Sequence, residues 1–427
     1  MTTQIQRWIS QCAVAMMVCM GASVQAQEPI RLSLIEGLSG PFALTGGSVV
    51  HNLQTLIQQI NAEGGVRWAG QRRPLVLDKY DSLGKTDQAL LHLQQVTTGP
   101  SRIVLQGNSS AVALALVDAI EKHNLREPNR QLIFLNYSAV EPSLTEERCS
   151  FWHFRFDAHA NMRMQALMHM LKQDTSVKRV YLIGQNYSFG QAVVREAKRQ
   201  LALVRPDIEV VGEELHAMAS IRDFLPYATK IRLSKADAVI TGNWGDDLSL
   251  LVRASQDVGF AGKFYTFYGH SLGAPAAMGP AGEGRVIAVS EWFPNRPQQA
   301  DNAYYRSFKQ TLRDPREDTL YMRMHLMMRL LVKALEEVGA QTRSADLSTR
   351  DLALALEKVQ GRLADHEGYM RAADHQFQQP LEVGLMEKAP SASLKWDVEG
   401  SGWGFRVIRR FTPAEAALPT GCQMTRP

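Results

Sequence analysis

The chain has little cysteine, 4 in 427 residues, so no disulfide framework carries its fold. Past the N-terminus no stretch stays apolar for about 18 residues, which argues against a membrane-spanning body. Neither sign of charge dominates, with 47 Lys and Arg against 43 Asp and Glu. No basic block stands out, so a nucleic-acid partner is not expected. Low-complexity tracts and short repeats are absent. A hydrophobic fraction of 45% then places the chain among ordinary globular proteins. There is no Gly-x-x-x-x-Gly-Lys phosphate loop. Asp365-His366 and Asp374-His375 lack metal-ligand spacing and read as solvated surface, and Asp157 with His159 is equally unmarked. No metal, cofactor or catalytic residue is expected.

What is present begins with a secretory pattern at residues 1–26: Arg7, a short apolar run over 9–20, then Val24-Gln25-Ala26 as a cleavage site. Cleavage removes Cys12 and Cys19 and leaves Cys149 and Cys422. One pair in an oxidising compartment predicts a disulfide that ties the C-terminal tail to mid-chain. Met16-Met17-Val18 ahead of Cys19 does not favour lipidation.

The remaining chain alternates β-branched runs with amphipathic stretches. Strands are predicted at 30–35, 75–80, 103–106 and 132–135, with helices at 51–61, 87–97 and 111–123 between them. A second run has strands at 179–183, 208–211, 238–241 and 264–267, with helices at 191–204, 223–233 and 247–258. Helices at 302–312, 320–338 and 347–359 and strands at 381–387 and 405–409 follow. Such alternation predicts an α/β protein with two doubly wound parallel sheets. The break near 140–160 carries Pro142 and the aromatics Phe151, Trp152, Phe154 and Phe156.

Ligands of open α/β sheets bind beyond the carboxyl ends of the strands. Phe42 and Thr45 follow the first strand, and Ser48 is placed to cap the next helix. Ser109 and Ser110 stand at a helix start, where amides, hydroxyls and the positive helix end suit a carboxylate. Ser138 and Ala139 follow the fourth strand. Tyr187, Phe189, Asn243, Trp244 and Ser271 follow strands of the second run. Aromatics beside small polar groups suit an apolar pocket with a few fixed hydrogen bonds. Gly269-His270-Ser271-Leu272-Gly273 also matches the nucleophile elbow of serine esterases. Pro275 and Pro280 soon after do not make the long helix that the elbow needs, so a secreted esterase is the weaker alternative.

Three segments carry a resemblance. They are Leu38-Ser39-Gly40-Pro41-Phe42-Ala43 with Gly46 and the later Ile60-Asn61-Ala62-Glu63-Gly64-Gly65-Val66; Ser138-Ala139-Val140-Glu141-Pro142-Ser143-Leu144-Thr145; and Tyr187-Ser188-Phe189-Gly190-Gln191. Over essentially the whole mature chain the sequence resembles periplasmic solute-binding proteins of the branched-chain amino-acid ABC transporter type. The resemblance implies a type I periplasmic binding fold, two lobes joined by three crossovers that close on a ligand by hinge motion. It puts lobe one at 28–150 and 293–376, lobe two at 151–292 and 377–412, and a tail at 413–427. It implies a periplasmic, monomeric, non-catalytic protein that captures a small solute and delivers it to a membrane permease, with a ligand sensor of the same fold as alternative. In members that bind amino acids, the loops matching Ser109-Ser110 and Ser138-Ala139 hold the ligand carboxylate. Other positions depart from the family. Val140 replaces a Thr that helps hold the ammonium, Ser271 stands where an acid often does, and Phe189 and Trp244 replace tyrosines. An ammonium buried without partners costs several kcal/mol. The expected ligand is therefore an aromatic or short aliphatic acid without an α-amine, unless Asp246 or Asp247 supplies the missing charge.

Overall fold

The computed structural model describes residues 28–296, 302–392 and 394–427. The expected signal segment, with Cys12 and Cys19, lies outside them. Two sheets organise the chain. The first has eight strands, in spatial order Gln360–Leu363, His366–Arg371, Gln376–Gln378, His153–Arg155, Ile133–Asn136, Ile103–Gln106, Ile30–Glu36 and Leu75–Asp81. The second has seven: Trp403–Phe411, Leu381–Lys388, Val286–Ser290, Lys263–Thr266, Ala238–Thr241, Arg179–Gln185 and Glu209–His216. The strands from His153–Arg155 to Leu75–Asp81 in the first sheet run parallel, as do those from Val286–Ser290 to Glu209–His216 in the second. Antiparallel strands finish one edge of each. Helices cover both faces, so a central strand is buried on both sides and reads as an unbroken apolar run. Ile103–Gln106 and Ala238–Thr241 are buried at every residue.

The two sheets make two lobes. The chain passes between them after Arg155, after Ser290 and after Gln378. His153–Arg155 pairs with Ile133–Asn136 in the first sheet, on the other side of the boundary expected at residue 150. The aromatic run that reads as a break is core: Phe151, Trp152, Phe154 and Phe156 are all buried.

The helix Ala43–Ala62 buries the stripe Val49, Leu53, Leu56, Ile57 and Ile60. It starts at Ala43 rather than near residue 51, after a 3-10 turn at Gly40–Phe42. Ser48 therefore lies inside the helix and caps nothing. A Cβ on Gly46 would stand 2.3 Å from the Gly37 carbonyl oxygen, so only glycine lets this helix approach the strand-end loop. Helix Ala160–Gln173 and strand Val286–Ser290 are not among the predicted elements.

His366 and His375 are fully buried, which corrects the expectation of solvated surface. His375 stacks on Phe154 with ring centroids 3.9 Å apart and bonds Glu357 at 2.7 Å. His366 opens an edge strand and His375 directly precedes the next one, where a polar side chain is buried if it faces inward and finds a partner. Cys149 and Cys422 form the expected disulfide, with Cα atoms 5.8 Å apart. Among the described residues no helix is long and apolar enough to cross a membrane.

Candidate functional site

The strand ends of both lobes converge on a cavity with roughly 490 Å³ of open space in and around it. Thr45, Gly107, Asn108, Ser110, Ser138 and Val140 give it one wall, from the first lobe. Ser109 is the N-cap of helix Ser110–Arg126, its hydroxyl accepting from Val112 N at 3.4 Å. The positive helix end thus opens beside the cavity. Glu36, at the end of the first strand, accepts from Gly107 N at 3.1 Å, Asn108 N at 2.9 Å and the Tyr137 hydroxyl. It holds the loop from behind. Burial pushes the Glu36 carboxyl above its usual range, and these hydrogen bonds oppose the shift. Asn136 braces the next loop, accepting from Ala139 N at 2.7 Å and donating to its carbonyl at 2.9 Å. The Asn108 side-chain amide is buried with no hydrogen-bond partner.

The opposite wall is aromatic. Tyr187, Phe189, Trp244 and Tyr268 line it, and Trp244 Nε1 donates to the Tyr187 hydroxyl at 3.0 Å. His270, Ser271 and Leu272 close one end. Burial drives the His270 imidazole down to about 3, so it is neutral at physiological pH.

Two arginines complete the lining. Arg163, on helix Ala160–Gln173, and Arg323, on helix Met322–Gln341, are both fully buried at the crossovers. Arg163 pairs with Asp157 at 2.5 Å. Arg323 pairs with Glu291 at 2.5 Å and Asp157 at 3.2 Å, and donates to the Tyr137 carbonyl at 2.6 Å and the Ser138 hydroxyl at 3.0 Å. Burial pushes Glu291 up, but Arg323 and Arg163 outweigh it and hold the carboxyl at about 2. Burial likewise opposes the charge on Arg323, and Asp157 and Glu291 overcome it. The two cations and two carboxylates balance, so this joint between the lobes adds N–H donors without a net charge.

Of the residues expected at the site, Thr45, Ser110, Ser138, Tyr187, Phe189, Trp244 and Ser271 line the cavity. Four others do not. Ser109 caps its helix. Ala139 is spent on Asn136. Asn243 turns its amide to His216 at 2.8 Å. Phe42 lines the outer cleft and meets Trp244 across it, ring centroids 5.9 Å apart. Asp246 and Asp247 also face that outer cleft. Asp247 is engaged by Gln185 Nε2 at 2.7 Å and Ala219 N at 2.8 Å. Arg163 and Arg323 carry no local signal of a site, because residues distant in the chain bring them to it. Tyr268 did stand directly after a predicted strand.

Residues 29–389 match the model of the periplasmic binding protein family. The chain belongs to that family. Leu/Ile/Val-binding protein homolog 4 of Brucella abortus is 32% identical, the match covering 97% of each chain. A solved structure, in closed conformation, of a leucine-, isoleucine-, valine-, threonine- and alanine-binding protein from Brucella ovis is 30% identical with a TM-score of 0.81. That match covers 94% of this chain and 100% of that one. An R. palustris ABC-transporter solute-binding protein, solved with 4-hydroxybenzoate, shares the fold at 17% identity and a TM-score of 0.74, covering 90% of this chain and 97% of that one. The family consists of binding proteins, not esterases. The segment after Ser271 forms a helix of only 5 residues, Ala274–Met278, not the long helix of a nucleophile elbow.

Proposed function

We propose that this protein captures a small carboxylic acid without an α-amine between its lobes and delivers it to a membrane permease, acting as a monomer. One observation carries the reading: among the described residues, no Asp or Glu lines the inner cavity. Val140 lines it where relatives of the amino-acid type offer a hydroxyl, and Asp247 is already engaged outside it. The carboxylate sits at the start of helix Ser110–Arg126, against Ser110 and Ser138. Tyr268 and Phe189 face the body of the ligand. An α-ammonium in this cavity finds no carboxylate, and its desolvation goes uncompensated.

The names of the Brucella relatives favour a second reading, a branched-chain amino acid. A thermal-shift screen separates the two. Benzoate, 4-hydroxybenzoate or isovalerate is expected to raise the midpoint by several degrees, and leucine and valine are expected to leave it unchanged. Stabilisation by leucine or valine alone overturns the proposal.

A further inference from the structure

A second chamber, with about 380 Å³ of open space in and around it, adjoins the ligand cavity. His270, Ser271, Tyr321 and Arg323 line both spaces, so the two meet at these four side chains. Asp318 lines only the second chamber, and it is 3% exposed. Its Oδ2 accepts from the Tyr305 hydroxyl at 2.8 Å, Lys309 Nζ at 2.9 Å and Glu399 N at 3.2 Å. Its Oδ1 is buried with no hydrogen-bond partner at all, and so is His270 Nδ1 where the two spaces meet. Leaving a buried carboxylate oxygen unmatched is costly, and native folds seldom do so without a purpose or a guest.

We propose that the second chamber is the distal half of the solute site and takes a hydrogen-bond donor, a hydroxyl or an amine, at the far end of an elongated carboxylic acid. The inference rests on the proposed function and specifies its ligand. The two ends have opposite polarity. The near end offers donors: the unpartnered Asn108 amide and the start of helix Ser110–Arg126. The far end offers an acceptor, Asp318 Oδ1. Apolar surface lies in both spaces, Val140 and Leu272 in the first, Trp292 and Leu320 in the second. Lys309 already balances the charge on Asp318, so a neutral hydroxyl suffices. A lone water on Oδ1 is the competing occupant, and it makes no demand on the ligand.

Calorimetric titration of the full chain with matched acids tests this. The probes are benzoate, phenylacetate and 3-phenylpropanoate, each beside its para-hydroxy and para-methyl counterpart. In at least one length the hydroxyl is expected to tighten binding tenfold or more over both the parent and the methyl acid. Asp318→Asn is expected to cut that gain below threefold and leave the parent acid's affinity within threefold. Equal affinity of hydroxy and methyl acids at every length overturns the inference without use of the variant. A gain that survives intact in folded Asp318→Asn does the same. If parent acids bind and no hydroxyl gain appears, the proposed function stands and this inference falls. If leucine binds and no acid does, both fall.

Discussion

The two walls of the cavity are built on different principles. The first-lobe wall is made of short polar residues and main chain at one helix start. Glu36 and Asn136 stiffen it from directly beneath. The second-lobe wall and the crossovers use large aromatics and buried charge, with partners drawn from far along the chain. Arg163 reaches the Val289 carbonyl, and Arg323 reaches Glu291 and Tyr137. One wall, proposed to hold a carboxylate, is made of groups that cost little to bury. The other depends on a balanced charge cluster that fails if any member is lost.

The largest expected effect therefore comes from breaking that cluster. Arg323→Met leaves Asp157 and Glu291 with one arginine between them, and loss of one partner from a buried ionic set costs about 3–5 kcal/mol. Urea unfolding should show the loss. A loss under about 1 kcal/mol would mean that the cluster is not ionised as described.

The next effect concerns how the second wall holds its end loop. Glu399 accepts from Gly273 N at 2.8 Å and Ala276 N at 3.1 Å. Burial raises its carboxyl from 4.5 to about 8. The folded chain thus keeps a proton that the unfolded chain releases above about 4.5. Stability is expected to fall as pH rises from about 4.5 to 8 and to level off beyond, by up to a few kcal/mol at about 1.4 per unit. Glu399→Gln removes this component, so the wild-type and variant stabilities should converge on one side of that window and part on the other. Parallel curves from pH 4.5 to 8.5 would contradict it.

The first wall should respond in the opposite manner. Ser110→Ala is expected to weaken acid binding roughly 10- to 100-fold, as fits loss of a hydrogen bond to a charged group of about 1.5–3 kcal/mol. Its unfolding free energy should change by less than about 1 kcal/mol. A stability loss matching that of Arg323→Met would erase the contrast between the walls.

The smallest effect is expected at the mouth. Phe42→Ala removes the ring that meets Trp244 across the outer cleft, a contact of about 0.5–1.5 kcal/mol. Faster ligand release with an unchanged association rate in stopped flow is the expected outcome.

The contrast also explains what the sequence made legible. The central strands read well because burial on both faces leaves uninterrupted apolar runs: Ile103–Gln106 and Ala238–Thr241 have the predicted limits. The first wall read well because serines at a helix start declare themselves within a few residues. Helix Ala160–Gln173 did not, since Arg163 interrupts its buried face of methionines and leucines. Nor did the edge strands around His366 and His375, where the buried side chains are polar and matched by distant partners. Charge that is neutralised only in three dimensions looks like surface in one. The same reason kept Arg163, Arg323 and Asp318 out of the expected site.

The central claim is that the cavity takes an acid without an α-amine. Its most direct test is the mass spectrum of the molecule released by denaturing protein purified from its native host without added ligand. A small carboxylic acid without an α-amine is expected. Release of stoichiometric leucine, isoleucine or valine would contradict it.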